Sequence, residues 1–196
     1  MGEKFVNALN SYEVQHGVIH PSHIGYIGLP DVKNSLILYS QRYENILKKN
    51  GYIGNLIIHD YKKIFFERKV DRNFFIVIYT QPDEKMQLGI NEFFKKYNPK
   101  DVFIQKHPKD YYAYNIEEKY FVNTTTPFEV QYPIFFTSSV MENFTTYNKK
   151  CYIYDLKYPN LNLIEFLNIF TAGSNSEVII MESLNEIYHD IKENEK

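Results

Sequence analysis

Residues 74–104 decide the fold: Phe74-Phe75-Ile76-Val77-Ile78-Tyr79-Thr80-Gln81-Pro82-Asp83-Glu84, then a stretch carrying Met86, Ile90, Phe93, Phe94 and Tyr97, then Asn98-Pro99 and Val102-Phe103-Ile104. The continuous apolar run ending in a Thr-Gln-Pro-Asp turn predicts a strand buried on both faces. The apolar positions after it recur at helical spacing, and Asn98-Pro99 ends the helix because a residue before proline avoids the helical region. Strand, helix and strand with short links form a βαβ unit, which implies parallel pairing.

The pattern repeats upstream. Leu36-Ile37-Leu38-Tyr39 reads as a strand, Gln41 to Asn50 as a helix with Tyr43, Ile46 and Leu47 on one face and Gly51 as its stop, and Leu56-Ile57-Ile58 as the next strand. Residues 59–73 end in Arg68-Lys69-Val70-Asp71-Arg72 and carry no apolar period, so they read as a linker. Downstream, strands are expected at Tyr120-Phe121-Val122, Ile134-Phe135-Phe136 and Cys151-Tyr152-Ile153-Tyr154, with a helix from Val140 to Thr145. Two terminal helices are expected, over residues 161–170 and from Glu177 onward. Ser174 and Glu177 stand at capping-box spacing, and Ile180, Leu184, Ile187 and Ile191 form one apolar stripe. The expected class is α/β, a Rossmann-like parallel sheet, divided into a partial βαβ unit with a preceding loop (1–58), a linker (59–73) and a larger domain (74–196).

Composition excludes several classes. The chain has 196 residues, 44% hydrophobic and 23% charged, with 8 Gly and 8 Pro, which is a globular rather than a low-complexity composition. A formal net charge of -2 supplies no cationic field, so sequence-independent nucleic-acid binding is not expected. The lone Cys151 cannot form an internal disulfide, and no basic-then-apolar leader or long apolar run is visible. The expected location is therefore cytoplasmic. Aromatics reach 17%, with 18 Tyr and 15 Phe. Alongside frequent Asn and an excess of Lys over Arg, that abundance reads as codon bias.

In an open parallel sheet, ligands bind beyond the carboxyl ends of strands, so residues following each apolar run carry the chemistry. Gln105-Lys106-His107-Pro108 offers a fixed and a titratable positive donor suited to a phosphate, although a surface lysine and a histidine satisfied by a backbone carbonyl fit the same residues. Thr137-Ser138-Ser139 opens a short helix, where hydroxyls and first-turn amides favour an anion or simply cap the helix. Glu142 just beyond can accept from ribose hydroxyls or face water. Asp83 and Glu84 follow the strand at 74–79, placed to act as a base or to favour a helix N-terminus. His16, His20 and His23 have a spacing that suggests zinc, but Gly17 and Pro21 break the helix that would align them, so no metal is expected. Gly17 after His16 instead suggests a loop that lets backbone approach a ligand closely.

Taken in order, Gln15-His16-Gly17, Lys106-His107-Pro108 and Thr137-Ser138-Ser139 with Glu142 resemble the cleft and donor-binding motifs of GT-B glycosyltransferases of bacterial surface polysaccharide synthesis. The likeness is to sialyltransferases of lipooligosaccharide, polysialyltransferases and capsule enzymes that use CMP-activated sugars. Pro127-Phe128-Glu129 is also similar, and the likeness covers about residues 11–155. It implies the C-terminal half of a GT-B fold with a truncated or absent N-terminal domain, and makes 74–196 the nucleotide-sugar-binding domain.

The resemblance implies roles. His107 stabilises the leaving phosphate, with His16 in the cleft, and Asp83 is the catalytic base, though Asp83-Glu84-Lys85 lacks the glycine that often follows two acidic residues in that group. Lys106, Thr137, Ser138 and Ser139 bind the phosphate, and Glu129 or Glu142 holds the ribose or base. The implied partners are a CMP-sugar donor and a glycan acceptor, with a second copy or a larger transferase completing the cleft and peripheral membrane contact near the acceptor. No cofactor is implied. The competing expectations are CDP-glycerol transfer or UDP-sugar epimerisation on the same fold, and a non-catalytic fragment or partner subunit.

Overall fold

The computed structural model describes residues 12–14, 35–38, 41–49, 51–59, 73–123, 125–138, 140–159, 162–171 and 174–195. The chain divides into two compact units, Met1–Arg68 and Lys69–Lys196.

In the first unit, strands β1 (Tyr12–Val14), β2 (Ser35–Leu38) and β3 (Leu56–Ile58) form a parallel sheet in that order. Helix α1 (Gln41–Lys49) links β2 to β3, as the apolar spacing predicts. Leu36 and Leu38 of β2 and Tyr43 and Leu47 of α1 are buried, so this small βαβ unit has a core of its own. Gly51 adopts φ 82°, the left-handed conformation that ends the helix. β1 adds a strand where a loop was expected.

The second unit holds a five-stranded parallel sheet. Strands β4 (Phe74–Tyr79), β5 (Val102–Gln105), β6 (Val130–Phe135), β7 (Cys151–Tyr154) and β8 (Val178–Met181) lie in the order β5-β4-β6-β7-β8. Counted within the unit this is 2-1-3-4-5, a doubly wound, Rossmann-like arrangement whose order of winding reverses between β4 and β6. Every pairing is parallel, with Ile78 opposite Ile104 on one side and Ile134 on the other.

Helices cover both faces. α2 (Glu84–Tyr97) and α5 (Leu184–Asn194) pack on one, where Ile76, Ile78 and Ile134 meet Met86, Ile90, Phe93, Leu184, Ile187 and Ile191. α3 (Met141–Thr146) and α4 (Leu163–Thr171) pack against each other, and Phe144 of α3 lies edge-on to Tyr79 and Phe135. Residues 78 and 79 point to opposite faces of a strand, so α2 and α3 leave the sheet on opposite sides. The outer side of β5 is covered by the chain at Phe121, which bridges Ile104 in parallel, and Val122 N–H donates to Ile104 O at 2.9 Å.

Three expectations are corrected. Tyr120-Phe121-Val122 is not a strand: Glu118–Tyr120 forms a 3-10 turn and only Phe121 bridges the sheet. The last helix begins at Leu184 rather than Glu177, because Val178–Met181 is taken as β8; Ser183 caps the helix, its Oγ accepting Glu186 N–H at 3.2 Å. Ile180 therefore stands on an edge strand, 43% exposed, outside the buried stripe of Leu184, Ile187 and Ile191. β6 also starts earlier than its apolar run suggests and includes Pro133, which is tolerated because β7 pairs only with Ile134 and Phe135. Among the described residues no helix is long and apolar enough to cross a membrane.

Candidate functional site

The reversal point sets the candidate site at the carboxyl ends of β4, β5 and β6. β4 runs into Thr80, β5 into Lys106-His107, and β6 through Phe136 into Thr137-Ser138. Strands lie about 4.8 Å apart, so His107 and Ser138 leave the same edge two spacings apart, about 10 Å, with Thr80 between them.

Thr80 organises the β4–β5 side. Its hydroxyl is buried, donates to Asp110 Oδ2 and accepts the His107 backbone N–H at 3.1 Å. Asp110, 7% exposed, also accepts Tyr114 OH at 2.7 Å and Tyr112 N–H at 3.1 Å, and its own N–H donates to His107 O at 2.8 Å. These donors satisfy a carboxylate that burial would otherwise penalise. The Tyr114 phenol is held well above its ordinary pKa, first by burial and then by its bond to Asp110. The ring of His107 has a defined tautomer: Nδ1 accepts Lys109 N–H at 3.1 Å, so in the neutral imidazole the proton sits on Nε2, which is a donor. The Lys106 ammonium donates to Tyr112 O at 2.9 Å and lies 5.1 Å from the Tyr114 ring centroid, which ties it into the loop.

Asp83 is the N-cap of α2. Its Oδ1 accepts Met86 N–H at 2.9 Å and its Oδ2 accepts Tyr158 OH at 2.5 Å. That bond, ahead of desolvation, raises the Tyr158 phenol to about 12. Lys85 Nζ sits 4.5 Å from the Tyr158 ring centroid, closing this side of the edge. A carboxylate filling the cap, with Glu84 in the first turn, makes the start of α2 repel rather than attract a phosphate.

On the β6 side two neutral hydroxyls, those of Thr137 and Ser138, come before the first turn of α3, which carries Glu142. Ser138 is buried, and its Oγ accepts Val140 N–H at 3.3 Å while its carbonyl accepts Met141 N–H at 3.2 Å, so it shapes the turn into α3. Thr137 precedes it, half-buried. Glu142 is in the first turn of α3 and buried at 6% exposure, not solvated.

Glu129 falls elsewhere. It precedes β6, its carboxylate accepts Thr126 N–H at 2.6 Å, and its carbonyl accepts Phe74 N–H. The Glu129 main chain is at the amino edge of the sheet, roughly 25 Å along the strand from Thr137, and its carboxylate closes the turn at Thr126. His16, with its neighbours Gln15 and Gly17, lies outside the described residues, as do His20, His23 and Ser139.

Thr80, Asp110, Tyr114 and Tyr158 complete the edge and were not singled out from sequence. Thr80 had a visible signal, as the first polar residue after a buried strand. Asp110 had none, because its partner Thr80 is 30 positions away. Among the described residues no group of three or more His, Cys, Asp or Glu side chains is placed to hold a metal ion.

The fold defines this unit as a doubly wound α/β domain. No family model, curated protein or solved structure matches the chain.

Proposed function

We propose that the chain is the nucleotide-sugar-binding part of a glycosyltransferase that moves a CMP-activated sugar onto a surface glycan. The observation that carries this reading is the placement of His107 and Ser138 on either side of Thr80, at one edge of the sheet, where its winding reverses. Ligands of doubly wound sheets occupy that crevice. His107 and the hydroxyls of Thr137 and Ser138 supply donors from the two sides of Thr80.

In this scheme the acceptor oxygen attacks the anomeric carbon, the bond from that carbon to the phosphate oxygen breaks, and CMP departs with the bonding pair. Nε2–H of His107, with Thr137 and Ser138, meets the charge that grows on the phosphate. A donor positioned there stabilises the transition state more than the ground state. The acceptor proton passes to Asp83, whose oxygens each keep a further lone pair beyond the bonds from Met86 and Tyr158. Lys106 holds the loop through Tyr112.

Calorimetry and thermal shift with CMP, UDP and CDP-glycerol test this. CMP is expected to bind and raise the melting temperature, and His107→Ala to weaken that binding by about tenfold or more. A response to UDP or CDP-glycerol without one to CMP would move the function to UDP-sugar epimerisation or glycerophosphate transfer. Indifference to all three would leave a partner subunit of a transferase.

A further inference from the structure

The loop after β5 presents an aromatic pair at the mouth of this edge. Tyr111 is 81% exposed, and its ring stacks on Tyr112 with centroids 5.0 Å apart and planes 24° apart. One face of Tyr111 is thus covered and the other is open to water. The loop carrying the pair is pinned at three points: Tyr112 N–H to Asp110 Oδ1 at 3.1 Å, Lys106 Nζ to Tyr112 O at 2.9 Å, and Asp110 N–H to His107 O at 2.8 Å. The ring is thus held in one place with a face free for a ligand that stacks on it.

The surroundings select the occupant. α2 is fastened to this loop, Gln87 donating to the carbonyl of Ala113 and Asn91 accepting Asn115 N–H at 2.9 Å, so the acidic start of that helix, Asp83 and Glu84, stands beside the pair. The two carboxylates repel a phosphate and accept hydrogen bonds from hydroxyls. An aromatic face is electron-rich and attracts polarised C–H groups. A pyranose ring supplies both features, a face of C–H bonds and a rim of hydroxyl donors.

We propose that Tyr111, backed by Tyr112 and flanked by Glu84, is a carbohydrate-binding platform that seats a neutral sugar ring of the acceptor glycan. It rests on the glycosyltransferase reading for the acceptor's role, not for the binding itself.

The full chain, isotopically labelled at tyrosine, is titrated with lactose, N-acetyllactosamine, maltose and cellobiose, and separately with cytidine and CMP. At least one oligosaccharide is expected to shift the Tyr111 and Tyr112 ring signals saturably. Its affinity should fall about tenfold in Tyr111→Ala and stay within about twofold in Tyr111→Phe. Tyr111→Ala should melt with the wild type, because the ring is exposed. The proposal is overturned if no oligosaccharide moves these signals, if Tyr111→Ala binds sugar as the wild type does, or if cytidine rather than sugar saturates them. A chain that binds sugar through Tyr111 but no nucleotide keeps this inference and loses the CMP reading. A chain that binds CMP through His107 but no sugar does the reverse.

Discussion

Thr80 and Asp110, 30 residues apart, are joined by a buried hydrogen bond from the threonine hydroxyl to the carboxylate, and the same hydroxyl accepts the backbone N–H of His107. One oxygen thereby sets both the charge balance of Asp110 and the start of the His107 loop. Replacing it with a methyl group in Thr80→Val leaves the buried Asp110 carboxylate and the half-buried His107 N–H each short of a partner and should cost about 2–3 kcal/mol. Thr80→Ser keeps the hydroxyl and should stay within about 1 kcal/mol of wild type. Urea midpoints at constant slope measure both.

Asp83 has a structural duty that can be separated from the proposed chemical one. Asparagine caps a helix about as well as aspartate, whereas alanine loses about 1 kcal/mol. Asp83→Asn is therefore expected to unfold near the wild-type urea concentration and Asp83→Ala earlier. If Asp83 is the base, both variants lose transfer activity. If it is only a cap, Asp83→Asn retains it.

The same residue sets an alkaline response. An unfolded tyrosine titrates near 10, and Tyr158 in the folded chain is raised to about 12, first by its bond to Asp83. Between those values the folded state holds a proton that the unfolded state releases. The bond's contribution is thus whole below about pH 10 and is lost as the pH rises through about 12. Ring-carbon NMR should show the Tyr158 transition returning toward 10 in Asp83→Asn.

Cys151 is buried in β7, and desolvation pushes its thiol up to about 12. At pH 8 a thiol reagent should leave the native protein essentially unmodified. The labelling rate should rise with urea in parallel with the loss of structure, since the thiolate becomes available only on opening.

Ile180 and Ile187 distinguish a strand followed by a helix from one continuous helix. Both lie on the stripe that helical spacing draws, yet Ile180 is 43% exposed on β8 and Ile187 is fully buried in α5. Ile187→Ala should cost about 2–4 kcal/mol and Ile180→Ala less than about 1 kcal/mol. Denaturation of the two variants side by side provides the comparison.

These contrasts show which parts of the fold are legible in a single sequence. β4, α2 and β7 were readable because a sheet buried on both faces demands an unbroken apolar run and a packed helix demands a 3.6-residue stripe. β8 was hidden because Val178-Ile179-Ile180-Met181 places Ile180 at the spacing a helix through Leu184 would use; Ser183 with Glu186, a second capping signal downstream of Ser174, marked the true boundary. His107 and Ser138 can be placed at the carboxyl edge from sequence because each follows a strand. Glu129 precedes its strand, which puts its main chain at the amino edge. Asp110 and the Tyr111–Tyr112 pair follow the Lys106-His107-Pro108 motif as ordinary loop residues, and only the fold brings Thr80 to them.

The bridge at Phe121 has a consequence for solubility. It occupies the hydrogen-bonding groups along the outside of β5 at Ile104, where a flat strand would otherwise invite pairing by a foreign chain. Among the described residues, the opposite margin of the sheet is β8, four residues in length. The five-stranded sheet therefore meets a foreign chain with one edge interrupted at Ile104 and the other only four residues long, too short to seed a long ribbon.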